Sequence, residues 1–473
     1  MSKITSTRAL RSLKYLNLSN SWNAQLAPGS RCLSSNCRPS ILNAPQRIAF
    51  VPTRTNSSIA THKSGRNRQN AFEYSPNDFI STYTYLKSSP TSQEGPFGTF
   101  WLRDSCQCSK CIHPDTRQRA VDTFSIPRDV SVKDIQYHEG GAEVQWSDGH
   151  RGVYPYSFLS THFNSPKRSQ SRVGYTPSNF RAFKSHDPAS KDYPTVAYAD
   201  VMSSNEGLFE WLEKIYVWGF CFVKGVPVDP ESTKTLIERI AFIRHTHYGG
   251  FWDFTANLTF KDTAYTTEFL GAHTDNTYFT DPARLQLFHL LSHTDGAGGE
   301  SLLVDGFQAA ARMRAENPFN LGVLQNETQP YHSSGNEDVC ILPASMEPVV
   351  KVHKELNRIY QIRWNNYDRA AKRDWDLQRQ NRWYNAAHHW NNIITRPDME
   401  IWTQLEPGTA LIFDNWRMMH GRSEFTGKRR MCGGYTNNDD FISKYRLLKF
   451  GREKVLENLG NTFAYKDNPF YYI

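Results

Sequence analysis

Thr409-Ala410-Leu411-Ile412-Phe413-Asp414-Asn415-Trp416-Arg417-Met418-Met419-His420 starts after the turn Pro407-Gly408 as an apolar strand, turns polar and ends on a histidine. Its counterpart lies 145 residues upstream in His273-Thr274-Asp275, where an extended segment enters a loop. Polar residues at strand ends, far apart in sequence, are what a rolled-up β-sheet brings together. Leu285–Leu291 and Ser301–Asp305 read as further buried strands, and Gly219–Val223 as another. Helical stretches run over Gly207–Val217, Pro230–His247, Phe307–Glu316 and about Asp374–Ile394. The pattern predicts a mainly β chain with flanking helices, its second half (191–473) a double-stranded β-helix or jelly roll. A doubly wound parallel sheet competes, but no glycine-rich phosphate loop follows any strand.

His273, Asp275 and His420 supply two imidazoles and one carboxylate. That set covers one face of an octahedral Fe(II) and leaves the other open to substrate and dioxygen. His-Thr-Asp alone would recur by chance in a chain with 16 His; its strand context and the distant His420 give it weight. Arg429 offers the planar fork that grips a carboxylate in two places, with Arg430 beside it as rival. Together these residues point to a non-haem iron oxygenase that uses 2-oxoglutarate.

At 473 residues the chain has room for two domains. With 12 Trp, 23 Tyr and 28 Phe it is not a mostly disordered protein. No apolar run is long enough for a membrane span. The net charge of +8 arises at one end. Residues 1–72 hold eleven Lys and Arg and no acid before Glu73, and Ile4, Leu10, Leu13 and Leu16 with Lys3, Arg8, Arg11 and Lys14 can form a basic amphipathic helix. This predicts a mitochondrial transit segment over about 1–70 and a matrix location; the alternative is a basic tail for nucleic acid or anionic lipid. Residues 166–190 read as a linker.

Residues 71–165 read as a small β domain, with strands at Phe97–Leu102, Glu143–Trp146 and Gly152–Pro155. Within it Trp101-Leu102-Arg103-Asp104-Ser105-Cys106-Gln107-Cys108-Ser109-Lys110-Cys111 places three thiols within six positions. Zn(II) takes four such ligands in a tetrahedron. His113 is too close to Cys111 to close the site, and His150 is the better fourth ligand. A fully protein-bound zinc is structural and would staple a domain with little core. The alternative is three free cysteines on a turn. Cys221, Cys340 and Cys432 read as buried free thiols, and no structural disulfides are expected in a reducing compartment.

Six runs between Phe97 and Leu459 resemble one known family. They are the Cys run at 101–111, Ala-Tyr-Thr-Thr at 264–267, His-Thr-Asp at 273–275, Leu-Leu-Val-Asp-Gly-Phe at 302–307, Asn-Asn-Tyr-Asp-Arg-Ala at 365–370 and Phe-Asp-Asn-Trp-Arg-Met-Met-His-Gly-Arg at 413–422. The chain resembles the carnitine-biosynthesis branch of the Fe(II)/2-oxoglutarate dioxygenases. The resemblance implies iron on His273, Asp275 and His420, 2-oxoglutarate on Arg429 with Ser301 as a second contact, and structural zinc on Cys106, Cys108, Cys111 and His150. It also implies ascorbate as reductant, a homodimer, and a small-molecule substrate rather than nucleic acid.

Tyr248, Trp252, Tyr265 and Tyr435 fall where that family holds a trimethylammonium group, which donates no hydrogen bonds and is best met by aromatic faces. If their segment is helical, Tyr248 and Trp252 share a face. Trimethyllysine and γ-butyrobetaine are the sister substrates. Asp262 is acidic where the butyrobetaine enzyme has an amide, and a carboxylate suits an amino acid's ammonium or the quaternary head better than a substrate carboxylate. The alternative for Asp262 is a surface turn. Asn365 is placed to hydrogen-bond the carboxylate end. Hydroxylation of trimethyllysine at C3 is the expected reaction. γ-Butyrobetaine hydroxylation and a non-catalytic quaternary-ammonium binding protein are the alternatives.

Overall fold

The computed structural model describes residues 82–163, 192–255, 266–353 and 358–457. The expected transit segment, the 166–190 linker, Asp262 and Tyr265 lie outside the described residues.

The N-terminal part opens with an antiparallel hairpin, β1 (Tyr83–Lys87) and β2 (Glu94–Gly98), followed by α1 (Thr99–Asp104). Three antiparallel strands, β3 (Val132–His138), β4 (Gly141–Trp146) and β5 (Arg151–Pro155), lead into α2 (Tyr156–Phe163). Leu86, Phe97, Leu102, Val144, Trp146, Tyr154 and Leu159 form a core of their own. Phe97–Leu102 is therefore not one strand: β2 ends at Gly98 and a helix begins at Thr99. Its aromatic composition favours a strand, but helical spacing turns Thr99, Leu102 and Arg103 inward together, overriding propensity.

The remainder runs β6 (Thr195–Ala197), α3 (Tyr198–Ser203), α4 (Asn205–Trp218), β7 (Phe220–Lys224), α5 (Pro230–Glu238), β8 (Trp252–Thr255), β9 (Leu270–His273), β10 (Leu285–Thr294) and β11 (Ser301–Asp305). Then come α6 (Gly306–Glu316), α7 (Pro318–Asn326), the short strands β12 (Thr328–Gln329), β13 (Glu347–Pro348), β14 (Val350–His353) and β15 (Arg358–Ile362), and α8 (Leu377–Ile394). It closes with β16 (Glu400–Thr403), β17 (Thr409–Asp414), β18 (Met418–Arg422), β19 (Lys428–Thr436), α9 (Asn438–Phe450) and α10 (Arg452–Glu457). A six-stranded sheet, β6-β7-β17-β10-β19-β8, faces a four-stranded sheet, β16-β11-β18-β9. Among the described strands only β6 and β7 pair in parallel, which disposes of the doubly wound alternative.

The two sheets are buried on both faces, and side-chain alternation divides the labour. Phe220, Phe222, Leu290, Leu411, Phe413 and Met431 of one sheet meet Leu303, Ile401 and Met418 of the other. Outward, Ala410 and Ile412 with Leu285 and Leu287 pack against Leu208, Trp211, Leu212 and Ile215 of α4 and Phe441 and Tyr445 of α9. Leu302, Val304 and Met419 pack against α6, α7 and α8 through Met313, Leu324, Trp383 and Trp390. This two-layer β core with helical covers is the jelly-roll arrangement.

The helix read over Pro230–His247 stops at Glu238. Beyond it the Arg244 N–H donates to the Tyr435 carbonyl at the end of β19, and Thr246–Gly249 form a turn. The backbone there serves the sheet instead of continuing a helix. Cys221 and Cys432 are buried free thiols, but Cys340 is exposed, because it lies in a loop away from either sheet. Among the described residues no helix is long and apolar enough to cross a membrane.

Asp305 ends β11 and caps α6, its Oδ1 accepting from the Phe307 and Gln308 N–H groups, while Oδ2 accepts from Arg417 Nη2 at 2.7 Å. Both partners are almost fully buried. Asp305→Ala leaves the Arg417 charge buried without its acid and removes the cap, so it is expected to cost about 3–5 kcal/mol. Asp305→Asn, which keeps an acceptor for the cap, should cost less. Urea unfolding of the two variants checks the order.

Candidate active site

β18 and β9 pair antiparallel so that His420 stands opposite His273. The two rings lie 4.4 Å apart, and Asp275 follows in the turn beyond β9. Asp275 Oδ1 is 3.4 Å from His273 Nε2 and 3.6 Å from His420 Nε2, longer than good hydrogen bonds. One ligand atom from each residue lies within 4.8 Å of the others. His420 sits inside a strand and not at its end, since β18 continues to Arg422.

Each member is oriented by neighbours. His273 Nδ1 donates to the Gly271 carbonyl at 2.8 Å, which turns Nε2 towards the cluster. The His420 ring leans on Phe413, tilted by 37° with centroids 4.7 Å apart. The Asp275 N–H donates to Asn415 Oδ1, and Asn415 Nδ2 donates back to the Asp275 carbonyl, so one amide clamps the turn. Asp275 Oδ2 accepts from the Tyr435 hydroxyl at 2.7 Å and from Gln286 Nε2 at 2.8 Å, leaving Oδ1 for a metal. Burial pushes the Asp275 carboxyl up, but the His420 and His273 imidazoles and the Tyr435 hydrogen bond outweigh it and hold it below the usual carboxylate range. Burial and the neighbouring His273 push His420 down to about 3, so at neutral pH it has a lone pair to give. Two imidazoles and a carboxylate already ionised fit a divalent transition metal.

The same pocket is lined by Tyr248, Trp252, Tyr435, Ser301, Asn365 and Arg429. Arg429 is buried from β19, with its stem against Gly299 and its guanidinium over Phe425. Burial and the like charge of Arg422 bring it down to about 10, still cationic at neutral pH. No acid among the described residues pairs with it, so a buried positive charge faces the pocket. Arg430 points the other way, as alternation on β19 requires, and pairs with Asp253 on an exposed edge. Tyr248 and Trp252 share the pocket through a turn and the start of β8, without a helix. The Trp252 and Tyr435 rings meet edge to face at 6.1 Å. Asn365 is engaged locally: Nδ2 donates to Asp368, and Oδ1 accepts from the Tyr367 and Asp368 N–H groups.

Residues missed in sequence also line the pocket: Asn276, Tyr278, Gln286, Tyr367, Asp368 and Arg422. Arg422 lies two positions beyond His420 on the same strand face, a period-two signal that was there to read. Gln286 has the same parity as Phe288 on β10. Asn276, Tyr278 and Asp368 come from loops that no periodicity marks.

In the N-terminal part, His150 Nε2 lies 3.4, 3.7 and 3.5 Å from the sulfurs of Cys106, Cys108 and Cys111. A tetrahedral zinc with ordinary Zn–S and Zn–N bonds puts such atoms about 3.6 Å apart. Arg103 pairs with Asp148 at 2.8 Å and approaches Cys111 Sγ, while Asp148 Oδ1 accepts from the His150 N–H. His113 Nδ1 faces the Asp115 and Thr116 N–H groups instead.

Tyr435→Phe removes one of two donors to Asp275 Oδ2. Partners of this kind typically set metal affinity by about 10–100-fold. Anaerobic Fe(II) titration should show a loss of that order with little change in melting temperature. Unchanged affinity would deny the hydroxyl its orienting part.

Residues 179–435 match the family described as taurine catabolism dioxygenase TauD, TfdA, and residues 90–160 match the gamma-butyrobetaine hydroxylase-like N-terminal family. A trimethyllysine dioxygenase of Neurospora crassa is 41% identical over 86% of this chain and 94% of its own length. One from Meyerozyma guilliermondii is 40% identical over 76% and 92%. The human protein named trimethyllysine dioxygenase, mitochondrial, is 36% identical over 74% and 82%. With its paired sheets and its His, Asp and His cluster, the chain belongs to the trimethyllysine dioxygenase family of 2-oxoglutarate-dependent enzymes.

Proposed function

We propose that this enzyme hydroxylates N6,N6,N6-trimethyl-L-lysine at C3 to 3-hydroxy-N6,N6,N6-trimethyl-L-lysine, the first step of carnitine biosynthesis, with succinate and CO2 as co-products. The observation that carries the reading is one pocket holding His273, Asp275 and His420, a buried guanidinium and several aromatic faces. Fe(II) at this site would activate dioxygen, the oxidant of the reaction, with one oxygen atom going to the C–H bond and the other to 2-oxoglutarate as it is decarboxylated to succinate. His273, Asp275 and His420 would hold the iron. Arg429 would take the distal carboxylate of 2-oxoglutarate, with Ser301 on β11 of the facing sheet as a second contact. Tyr248, Trp252 and Tyr435 would receive the quaternary head, at roughly 0.5–2 kcal/mol per ring, together with Tyr265 and Asp262. The chain's contribution is position, since a carbon held near the metal's open face reacts in preference to its neighbours.

Structural zinc on Cys106, Cys108, Cys111 and His150 belongs to the same reading, as do ascorbate as reductant, a homodimer and a matrix location. The acid-free basic segment 1–72 and the names of the vertebrate relatives support the last.

The test is succinate release from Fe(II)-loaded protein with trimethyllysine and, separately, with γ-butyrobetaine. Succinate dependent on trimethyllysine is expected; preference for γ-butyrobetaine would exchange the substrate, and none with either would leave a binding protein. Arg429→Ala should raise the KM for 2-oxoglutarate by about 10–100-fold. For the N-terminal part, native mass spectrometry should find one zinc in the wild type and none in Cys108→Ser; metal-free wild type would overturn that assignment.

A further inference from the structure

We infer that Asp368 and Asn276 take the α-ammonium and α-carboxylate of the substrate, and that Asp368 selects an amino acid over a betaine lacking the α-ammonium. The inference rests on the functional reading above and names which end of the pocket sees which end of the substrate. A quaternary head has no donors and suits rings, whereas a primary ammonium has three donors and needs acceptors. The described rings Tyr248, Trp252 and Tyr435 supply the first environment. Asp368 supplies the second. Its Oδ2 accepts from Asn365 Nδ2 at 2.7 Å and from Thr277 Oγ1 at 3.3 Å, which fixes the carboxylate where it lines the pocket. The adjacent Tyr367 ring stands 6.0 Å from the His273 ring, so this loop runs beside the metal-binding cluster.

Asn276 is the independent observation. It follows Asp275 directly, is 1% exposed and adopts φ 60. Its amide oxygen and nitrogen find no partner within strict hydrogen-bond geometry, and their one polar approach is to the Tyr278 hydroxyl. The Tyr278 hydroxyl, which lies near it, is engaged with Tyr248. A buried amide left so is unfavourable, and the left-handed backbone of a non-glycine residue adds to that. An α-amino-acid head answers both atoms, with its carboxylate for the N–H and its ammonium for the oxygen. Asn276 also precedes Thr277, whose hydroxyl donates to Asp368, and both Asn276 and Asp368 line the pocket.

The experiment measures Kd calorimetrically on the anaerobic enzyme loaded with Fe(II) and 2-oxoglutarate. The ligands are trimethyllysine and 6-(trimethylammonio)hexanoate, the same molecule without its α-amino group. Wild type should prefer trimethyllysine. Asp368→Asn should weaken trimethyllysine by about 10–100-fold and leave the analogue within about threefold, while Asp368→Glu should recover part of the preference. Asn276→Gly, which tolerates the same backbone angles, should weaken both ligands. Equal weakening of both by Asp368→Asn, or of neither, overturns the role of Asp368; unchanged binding in Asn276→Gly overturns that of Asn276. Wild type that binds no trimethyllysine sinks the functional reading and this one with it, whereas the variant outcomes strike this one alone. Melting temperatures of all variants separate loss of fold from loss of contact.

Discussion

The register between β18 and β9 is the constraint on which the site depends. Antiparallel pairing sets His420 across from His273, and a slip of one residue would send His420 to the helix-covered face where Met419 now packs. The same alternation turns Met418 and Arg422 inward with His420, and Arg429, Met431 and Tyr435 inward from β19. Leu303, Leu411 and Phe413 hold the sheets together between these polar positions. Packing of the two inner faces and alignment of His273 and His420 are thus one event.

Within the pocket, charge is distributed by element. The cations Arg422 and Arg429 come from strands, and both are buried where they line the pocket. The acids Asp275 and Asp368 come from turns. Asp275 is drawn into the cluster by two imidazoles and two hydrogen-bond donors, so its negative charge is committed there. Asp368 is oriented by the Asn365 amide and the Thr277 hydroxyl. An anion and a cation can therefore occupy one pocket without competing for the same groups.

The rigidity behind this comes from groups that contact no ligand. Asn415 clamps the backbone of Asp275 and also donates to the Ala283 carbonyl. Arg284 grips Asp414 through two hydrogen bonds at the end of β17, next to that clamp. Such buried, paired polar groups are costly to break singly, and Asp414 and Asn415 sit where β17 leads into the β18 strand of His420.

Much of this was legible in the residues. The apolar run Thr409–Phe413 and the distant histidines implied sheets that roll up, and the Cys and His spacing at 106–150 implied a compact four-ligand cluster. The choice between Arg429 and Arg430 was not legible, because adjacent arginines differ only in which face of β19 they take. The helical reading of Tyr248 and Trp252 failed for a similar reason: the Arg244 backbone bonds to the end of β19, a partner invisible to local pattern. Asn276, Tyr278 and Asp368 lie in loops, where side-chain direction follows from no period. The sequence by itself determined the chemistry, through donor types whose affinities are intrinsic to the side chains. Only the tertiary structure decided which of those side chains share one space, because loop conformation and strand facing are settled by contacts between segments far apart along the chain.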